Sequence, residues 1–255
     1  MSVVASVSFA ATIPKDGLTD EQSEDQYQVA PDLRAFAVSD GATHSLHARL
    51  WARCLVDRFC EAPQPSVSQE WLKPAGFRFF QSIDVNALPW HALAKLNEGT
   101  FATLAGITLS GDSAAIDGFV VGDSCLVIWS PGSDPSFFPP YGSQDLQLDP
   151  YLISTLADLN EASLPGARRL GPVHLPLGLT LVAIMTDAVA RWFLEQAVPA
   201  GMQEPLERLL RCESRDDFEG LIAAARANEG MKNDDCTLLV VEIFREPDSA
   251  SSDPN

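Results

Sequence analysis

The chain has 255 residues, 46% of them apolar, which is enough to bury a sizeable core. Its formal net charge is -18, from 35 acidic against 17 basic residues. That balance excludes the basic stripes that bind nucleic acid and the polybasic patches that dock on anionic membranes. Five cysteines occur, at Cys54, Cys60, Cys125, Cys212 and Cys236, without a CxxC pair. They read as buried thiols in a reducing compartment, not as a disulfide framework or zinc site. The N-terminus has no basic region followed by an apolar run and cleavage site. No apolar stretch reaches the roughly 20 residues that cross a bilayer. The protein is expected in the cytoplasm. Residues 1–244 read as one domain, and 245–255, rich in Ser, Asp and Pro, as a disordered tail.

Ser2 to Ala11 suits a strand, and Lys15 to Ser23 a polar loop. Gln26 to Ala30 and Arg34 to Ser39 form a strand pair about a Pro31-Asp32 turn. Leu46, Leu50, Trp51, Leu55 and Phe59 recur at helical spacing, which predicts a helix over Ser45 to Cys60. Val67 to Ile83 is ambiguous, and Trp90 to Thr103 includes a helix. Ile107 to Leu109, Ala114 to Val121 and Cys125 to Trp129 read as strands. Pro131 to Pro150 is mostly loop. Leu179 to Thr186 is a fully apolar strand, followed by helices over Asp187 to Gln196, Glu204 to Arg211 and Asp216 to Ala227. Thr237 to Phe244 is a last buried strand. Strands lie early, in the middle and at the end, with helices in blocks between them. This predicts antiparallel sheets covered by helices, not strict βαβ alternation. Trp51, Trp90 and Trp192 read as core residues.

Acidic residues stand where the apolar strands end or begin. Asp40 and Asp187 end strands; Glu24, Asp25, Asp234 and Asp235 precede them. A hairpin centred on Pro31-Asp32 sets Glu24 opposite Ser39 or Asp40. Antiparallel pairing lays one strand's end beside its neighbour's start, so these acids can share one sheet edge. Crowded carboxylates repel unless cations join them, and hard oxygen ligands favour Mg²⁺ or Mn²⁺. Gly41 lets the backbone come close and offer its carbonyl. Two ions about 3.5–4 Å apart can share a carboxylate and activate a water. A single Asp at a strand end is more often an ordinary turn residue. The joint pattern, against strands too apolar for the surface, points to a metal-binding carboxylate cluster.

At these positions the sequence resembles the metal-dependent Ser/Thr protein phosphatases of the protein phosphatase 2C type. Ser23-Glu-Asp25 is similar to the family's Asn-Glu-Asp, and Phe36-Ala-Val-Ser-Asp-Gly41 to its strand ending in Asp-Gly. Gly99-Thr-Phe-Ala-Thr-Leu104 is similar to its Gly-Thr-Thr helix, and Val121-Gly-Asp-Ser124 to its Val-Gly-Asp-Ser-Arg. Met185-Thr-Asp-Ala188 is similar to Thr-Asp-Gly, and Asn233-Asp-Asp-Cys-Thr237 to Asp-Asn-Ile-Thr. The six motifs come in the family's order.

The resemblance implies an α+β fold, a four-layer α-β-β-α sandwich of two mainly antiparallel sheets flanked by helices. It implies hydrolysis of phosphoserine and phosphothreonine by a metal-bound water at a site of two or three Mg²⁺ or Mn²⁺ ions. Asp40, Asp187 and Asp234 would bind the first ion, and Asp40, the Gly41 carbonyl and Glu24 the second. Asp25 would act at or beside that shell, and Asp123 with Asp187 would take a third. The partners implied are a phosphoprotein substrate and, from the Leu88-Pro-Trp90 stretch, a Ser/Thr kinase of the kind linked to stand-alone bacterial members. Departures fall on substrate contacts. Asp20 stands where the family often has a phosphate-binding Arg, and Lys15 is the nearest residue able to supply that charge. The rival from another class is a regulatory module of the same fold, binding a phosphoprotein or kinase without turnover. Cysteine-dependent phosphatase chemistry is excluded, because no cysteine has an Arg six residues later.

Overall fold

The computed structural model describes residues 2–64, 66–110, 112–140, 142, 146 and 151–247. Twelve strands are assigned among them: β1 Val3–Ile13, β2 Gln26–Val29, β3 Ala35–Ser39, β4 Phe101–Ala102, β5 Leu104–Ser110 and β6 Ala115–Val121 come first. β7 Cys125–Trp129, β8 Ser136–Phe138, β9 Ile153–Ser154, β10 Arg168–His174, β11 Gly178–Met185 and β12 Cys236–Arg245 follow. The helices are α1 Ala48–Glu61, α2 Gln69–Gln81, α3 Trp90–Asn97, α4 Asn160–Ser163, α5 Asp187–Ala200, α6 Gln203–Leu210 and α7 Arg215–Asn228.

Two five-stranded antiparallel sheets stack face to face. One has the order β1-β12-β11-β7-β8, the other β10-β6-β5-β3-β2. Three apolar layers hold the stack. Between the sheets lie Phe36, Val38, Ile107, Ile116, Leu126, Val182, Ile184, Leu239 and Val241. On the outside of the first sheet, Leu238 and Val240 meet Trp192, Phe193, Leu206, Leu209, Phe218 and Ile222 of α5, α6 and α7. On the outside of the second, Ala37, Leu104 and Phe119 meet Trp51, Leu55, Phe59, Trp71 and Phe79 of α1 and α2. This is the expected α-β-β-α order. It also explains why β3 and β12 carry unbroken apolar runs: successive side chains point to opposite faces, and both faces are buried.

Two glycines let the layers close. A methyl group on Gly106 would stand 2.7 Å from the Phe59 ring, and one on Gly118 2.5 Å from the Gly106 carbonyl oxygen. The second contact is backbone, so no rotamer change relieves it. Gly118→Ala is expected to destabilise the fold by about 3 kcal/mol, read as a lower urea midpoint at an unchanged slope.

Several expectations need correction. The hairpin turns one residue later than predicted: Ala30 N–H donates to Ala35 O at 2.8 Å, and Gln26 pairs with Ser39. Pro31 occupies an early turn position, and the Asp32 carboxylate accepts from Arg34 N–H at 3.1 Å, which moves the reversal to Asp32-Leu33. Asp25, not Glu24, therefore continues the register toward Asp40. Gly99 to Leu104 is not helical: Phe101–Ala102 is a short strand in which Phe101 pairs with Ser154, and Thr103 N–H donates to Asp40 O at 2.8 Å. Trp51 and Trp192 are core residues, but Trp90 is 82% exposed, because α3 buries Leu96 and turns its first residue outward. The last strand runs to Arg245, which pairs with Val3 and Gly178, one residue into the predicted tail. Residues 248–255 of that tail, and 141, 143–145 and 147–150 of the predicted loop, lie outside the described residues.

Candidate metal centre

The strand register decides which acids meet. β11 and β12 pair Met185 with Leu238, and one step further Thr186 N–H donates to Thr237 O at 3.2 Å. Asp187, first residue of α5, and Asp234, just before β12, thus leave the same end of the first sheet. Asp123 occupies the β6–β7 turn at that end, where Gly122 adopts φ 101°. Across the gap, Asp40 leaves β3 and Asp25 enters β2. Acids from distant parts of the chain so reach one rim of the sandwich.

Hydroxyls fix them there. Thr103 Oγ1 accepts from Asp40 N–H at 2.9 Å and shares a 2.8 Å hydrogen bond with Ser124, which ties β3 to the Asp123 turn. Thr186 Oγ1 donates to Asp25 Oδ2 at 2.8 Å and accepts from Thr237 N–H at 3.0 Å. One hydroxyl thereby joins both sheets. Asp187 Oδ1 accepts from Ala188 N–H at 2.7 Å. Gly41 leaves no room for a side chain: a Cβ would stand 2.7 Å from the Ala48 backbone. That close approach keeps the Asp40-Gly41 peptide against the start of α1.

The crowding shows in the acid strengths. Burial, reinforced by Asp235, pushes the Asp25 carboxyl up to about 8. Burial and the charges of Asp25 and Asp187 push Asp40 well above the usual carboxylate range. Burial, then Asp187, brings Asp123 to about 7, and burial also raises Asp187. Asp234 goes the other way: burial opposes ionisation, but hydrogen bonds from Lys232 and Lys15 outweigh it. Asp25 is only 1% exposed, whereas Asp40, Asp123 and Asp187 keep an open side at the rim.

Two lysines enter this rim. Lys15 Nζ lies 3.0 Å from Asp234 Oδ1, 3.5 Å from Glu24 Oε2 and 2.9 Å from Thr43 Oγ1. Lys232 Nζ lies 3.8 Å from Asp187 Oδ2 and bonds Asp234 Oδ2. Burial opposes their charge, but Asp234 raises both above the ordinary lysine range. With ammonium groups in place, no three His, Cys, Asp or Glu side chains among the described residues form a ready-made metal cage. The donor set nonetheless fits a hard divalent cation. It is all oxygen. Asp25, Asp40, Asp123 and Asp187 hold their protons more tightly than ordinary carboxylates, and a cation would displace those protons. Asp25 Oδ1 is buried without a hydrogen-bond partner.

Solved structures match the whole architecture. PppA of Pseudomonas aeruginosa, described as a regulatory component of T6SS, aligns at 15% identity and TM-score 0.56, covering 96% of this chain and 99% of that one. The S. agalactiae serine/threonine phosphatase aligns at 15% identity and TM-score 0.56, covering 95% and 100%. The catalytic domain of the phosphatase PstP, solved with two manganese ions, aligns at 17% identity and TM-score 0.53, covering 96% and 100%. The chain has the protein phosphatase 2C-type fold. No family model and no curated protein matches the sequence.

Within that phosphatase fold, Asp25, Asp40, Asp123, Asp187 and Asp234 come to one rim, and Glu24 joins them through Lys15. Lys15 is held among the acids, not free at a substrate mouth. Two residues that the sequence assigned no role at the site prove structural to the rim. Asp235, 3% exposed, accepts from Lys15 N–H at 2.8 Å and Glu24 N–H at 2.7 Å, which pins both approach segments. Arg226 Nη2 donates to Asp234 O at 2.6 Å and Pro14 O at 3.2 Å. The doubled Asp234-Asp235 was the one sequence signal for the first; nothing local marked Arg226.

Proposed function

We propose that the chain is a metal-dependent phosphoprotein phosphatase that hydrolyses phosphoserine and phosphothreonine. The observation that carries this is the meeting of Asp25, Asp40, Asp123, Asp187 and Asp234 at one rim, where burial and then the neighbouring charges suppress the ionisation of the first four, while lysines keep Asp234 ionised. Asp40, Asp187 and Asp234 would hold one Mg²⁺ or Mn²⁺; Asp40, the Gly41 carbonyl and Glu24 a second; Asp123 with Asp187 a third. Such ions, when bound, lower the pKa of a water and neutralise phosphoryl oxygens. The chain's own residues do the rest. Thr186 holds the Asp25 carboxylate, and Thr103 holds the Asp40 backbone. Asp25, deep beside the ligands, is placed to hold a proton near neutral pH. Lys15, held by Asp234 and Thr43, would become the nearest point charge for an incoming phosphate once a cation took its place on Asp234.

A partner Ser/Thr kinase would supply the phosphoprotein. Five free cysteines, with thiols raised by burial at Cys54, Cys60 and Cys125, support a reducing, cytoplasmic setting. No helix among the described residues is long and apolar enough to cross a membrane.

The lysine pairs favour one alternative, a binding module whose acids are neutralised internally. Phosphate release from a small aryl phosphate separates the two. The phosphatase reading expects turnover that needs Mn²⁺ or Mg²⁺ and stops with a chelator; absent release favours the module, and metal-independent release contradicts both. Lys232→Ala removes a cation that competes for Asp187 and Asp234. It is expected to tighten Mn²⁺ binding about tenfold in a calorimetric titration.

A further inference from the structure

Beside the rim, a cavity of about 460 Å³ opens between the free edges of β1 and β2. Its walls carry Arg49, Arg53 and Arg215 against Asp20 and Asp25. A net positive lining is unusual in a chain whose formal charge is -18. Both acids are already engaged, Asp20 by Arg215 and Asp25 by Thr186. Arg53 pairs with Asp57 at 3.1 Å. Arg49 bonds the carbonyls of Asp20 and Ser23, the latter at 2.8 Å, and no carboxylate among the described residues. The acid that feels its charge is Glu21, which is solvent-exposed and does not line the cavity. A second feature points to a ligand. Ser23 lines the same cavity at 1% exposure, and its hydroxyl has no hydrogen-bond partner. Buried hydroxyls are nearly always bonded, so an orphan beside three guanidinium groups marks a missing acceptor.

We propose that this cavity binds a phosphate-class anion, distinct from the phosphate at the acidic rim. Guanidinium forks match the oxygens of a phosphate, and the Ser23 hydroxyl donates one more bond. The carrier is assigned as a second phosphoserine on the same phosphoprotein, and this assignment alone rests on the phosphatase reading.

Calorimetry with inorganic phosphate on chelator-treated protein tests the cavity itself. Ser23→Ala deletes a hydroxyl that makes no internal bond, and Arg53→Gln removes one guanidinium. Each is expected to weaken phosphate binding at least fivefold, and the pair more than tenfold, with thermal stability unchanged. Wild-type affinity in both variants, or no phosphate binding by the wild type, overturns the proposal. The carrier is tested on Mn²⁺-loaded protein with peptides bearing one or two phosphoserines. Arg53→Gln should raise KM for the doubly phosphorylated peptide and leave aryl phosphate turnover unchanged. Equal KM effects on both peptides overturn the second-phosphoserine assignment. Absence of any turnover sinks the phosphatase reading and leaves the calorimetric result to decide the cavity.

Discussion

Asp187→Ala should cut phosphate release by about 10²–10³-fold while the protein stays folded. Asp187 is first in α5, faces Lys232 and Asp234, and has its acidity suppressed by burial. Its carboxylate makes one internal bond, to Ala188 N–H at 2.7 Å, so the fold loses little when it goes. The proposed ion sites lose a shared ligand. An unchanged circular dichroism spectrum with turnover reduced to that degree is the expected pair of results. Unchanged turnover would remove Asp187 from the site. Thr186→Ala makes the contrast. It deletes the hydroxyl that joins Asp25 to the Thr237 amide, so stability should fall along with activity.

The metal-free protein should become less stable as pH rises, the reverse of the ordinary case for carboxylates. Asp25 titrates at about 8 and Asp123 at about 7 in the fold, against about 4 when unfolded. Below pH 4 both states hold these protons, and no difference arises. Between about 4 and 8 the folded state keeps protons that the unfolded state has released. Unfolding free energy then falls with rising pH, because the folded state binds more protons. Asp234, whose acidity is strengthened, opposes this only near the bottom of the window. The loss across the window should be on the order of a few kcal/mol, since water screens the open side of the cluster. Cations should reverse it. At a hundredfold excess over Kd, Mn²⁺ should add about 2.7 kcal/mol and raise Tm by roughly 5–10 °C. Urea titrations at pH 5 and pH 8, with chelator and with Mn²⁺, read both effects. A metal-free protein more stable at pH 8 than at pH 5 would contradict the reading of the rim.

The parts of the fold that apolar periodicity could announce were announced. β7 runs from Cys125 to Trp129 as expected, and β11 and β12 fall within two residues of their predicted bounds. Each is apolar on both faces, and only a strand between two covered layers has that need. Elements with weaker patterns escaped. β10 is an edge strand whose residues are mostly exposed, with Gly171 and Pro172 inside it, so neither alternation nor propensity marks it. α2 contains Pro74, which removes an amide from mid-helix; Ser68 capping Trp71 N–H and the burial of Trp71, Leu72, Ala75 and Phe79 outweigh that cost.

Asp123 came only from the resemblance. Asp25, Asp40, Asp187 and Asp234 were readable because each abuts an apolar strand, and strand ends gather at sheet edges. What holds them was not. Thr186 reaches Asp25 across 161 residues and Asp235 reaches Glu24 across 211, distances at which no local pattern speaks. The placing of Lys15 and Lys232 among the acids depends on loop paths that composition does not fix. The arginine cavity is likewise the product of α1, α7 and two strand edges meeting, with no shared motif.

Crystals grown with Mn²⁺ and measured at the manganese absorption edge put the acid rim to its most direct test. An anomalous peak within bonding distance of Asp40, Asp187 and Asp234 together, with Lys232 swung away, is the predicted outcome. A rim without anomalous signal, its lysines still bonded to Asp234 at saturating Mn²⁺, would contradict it.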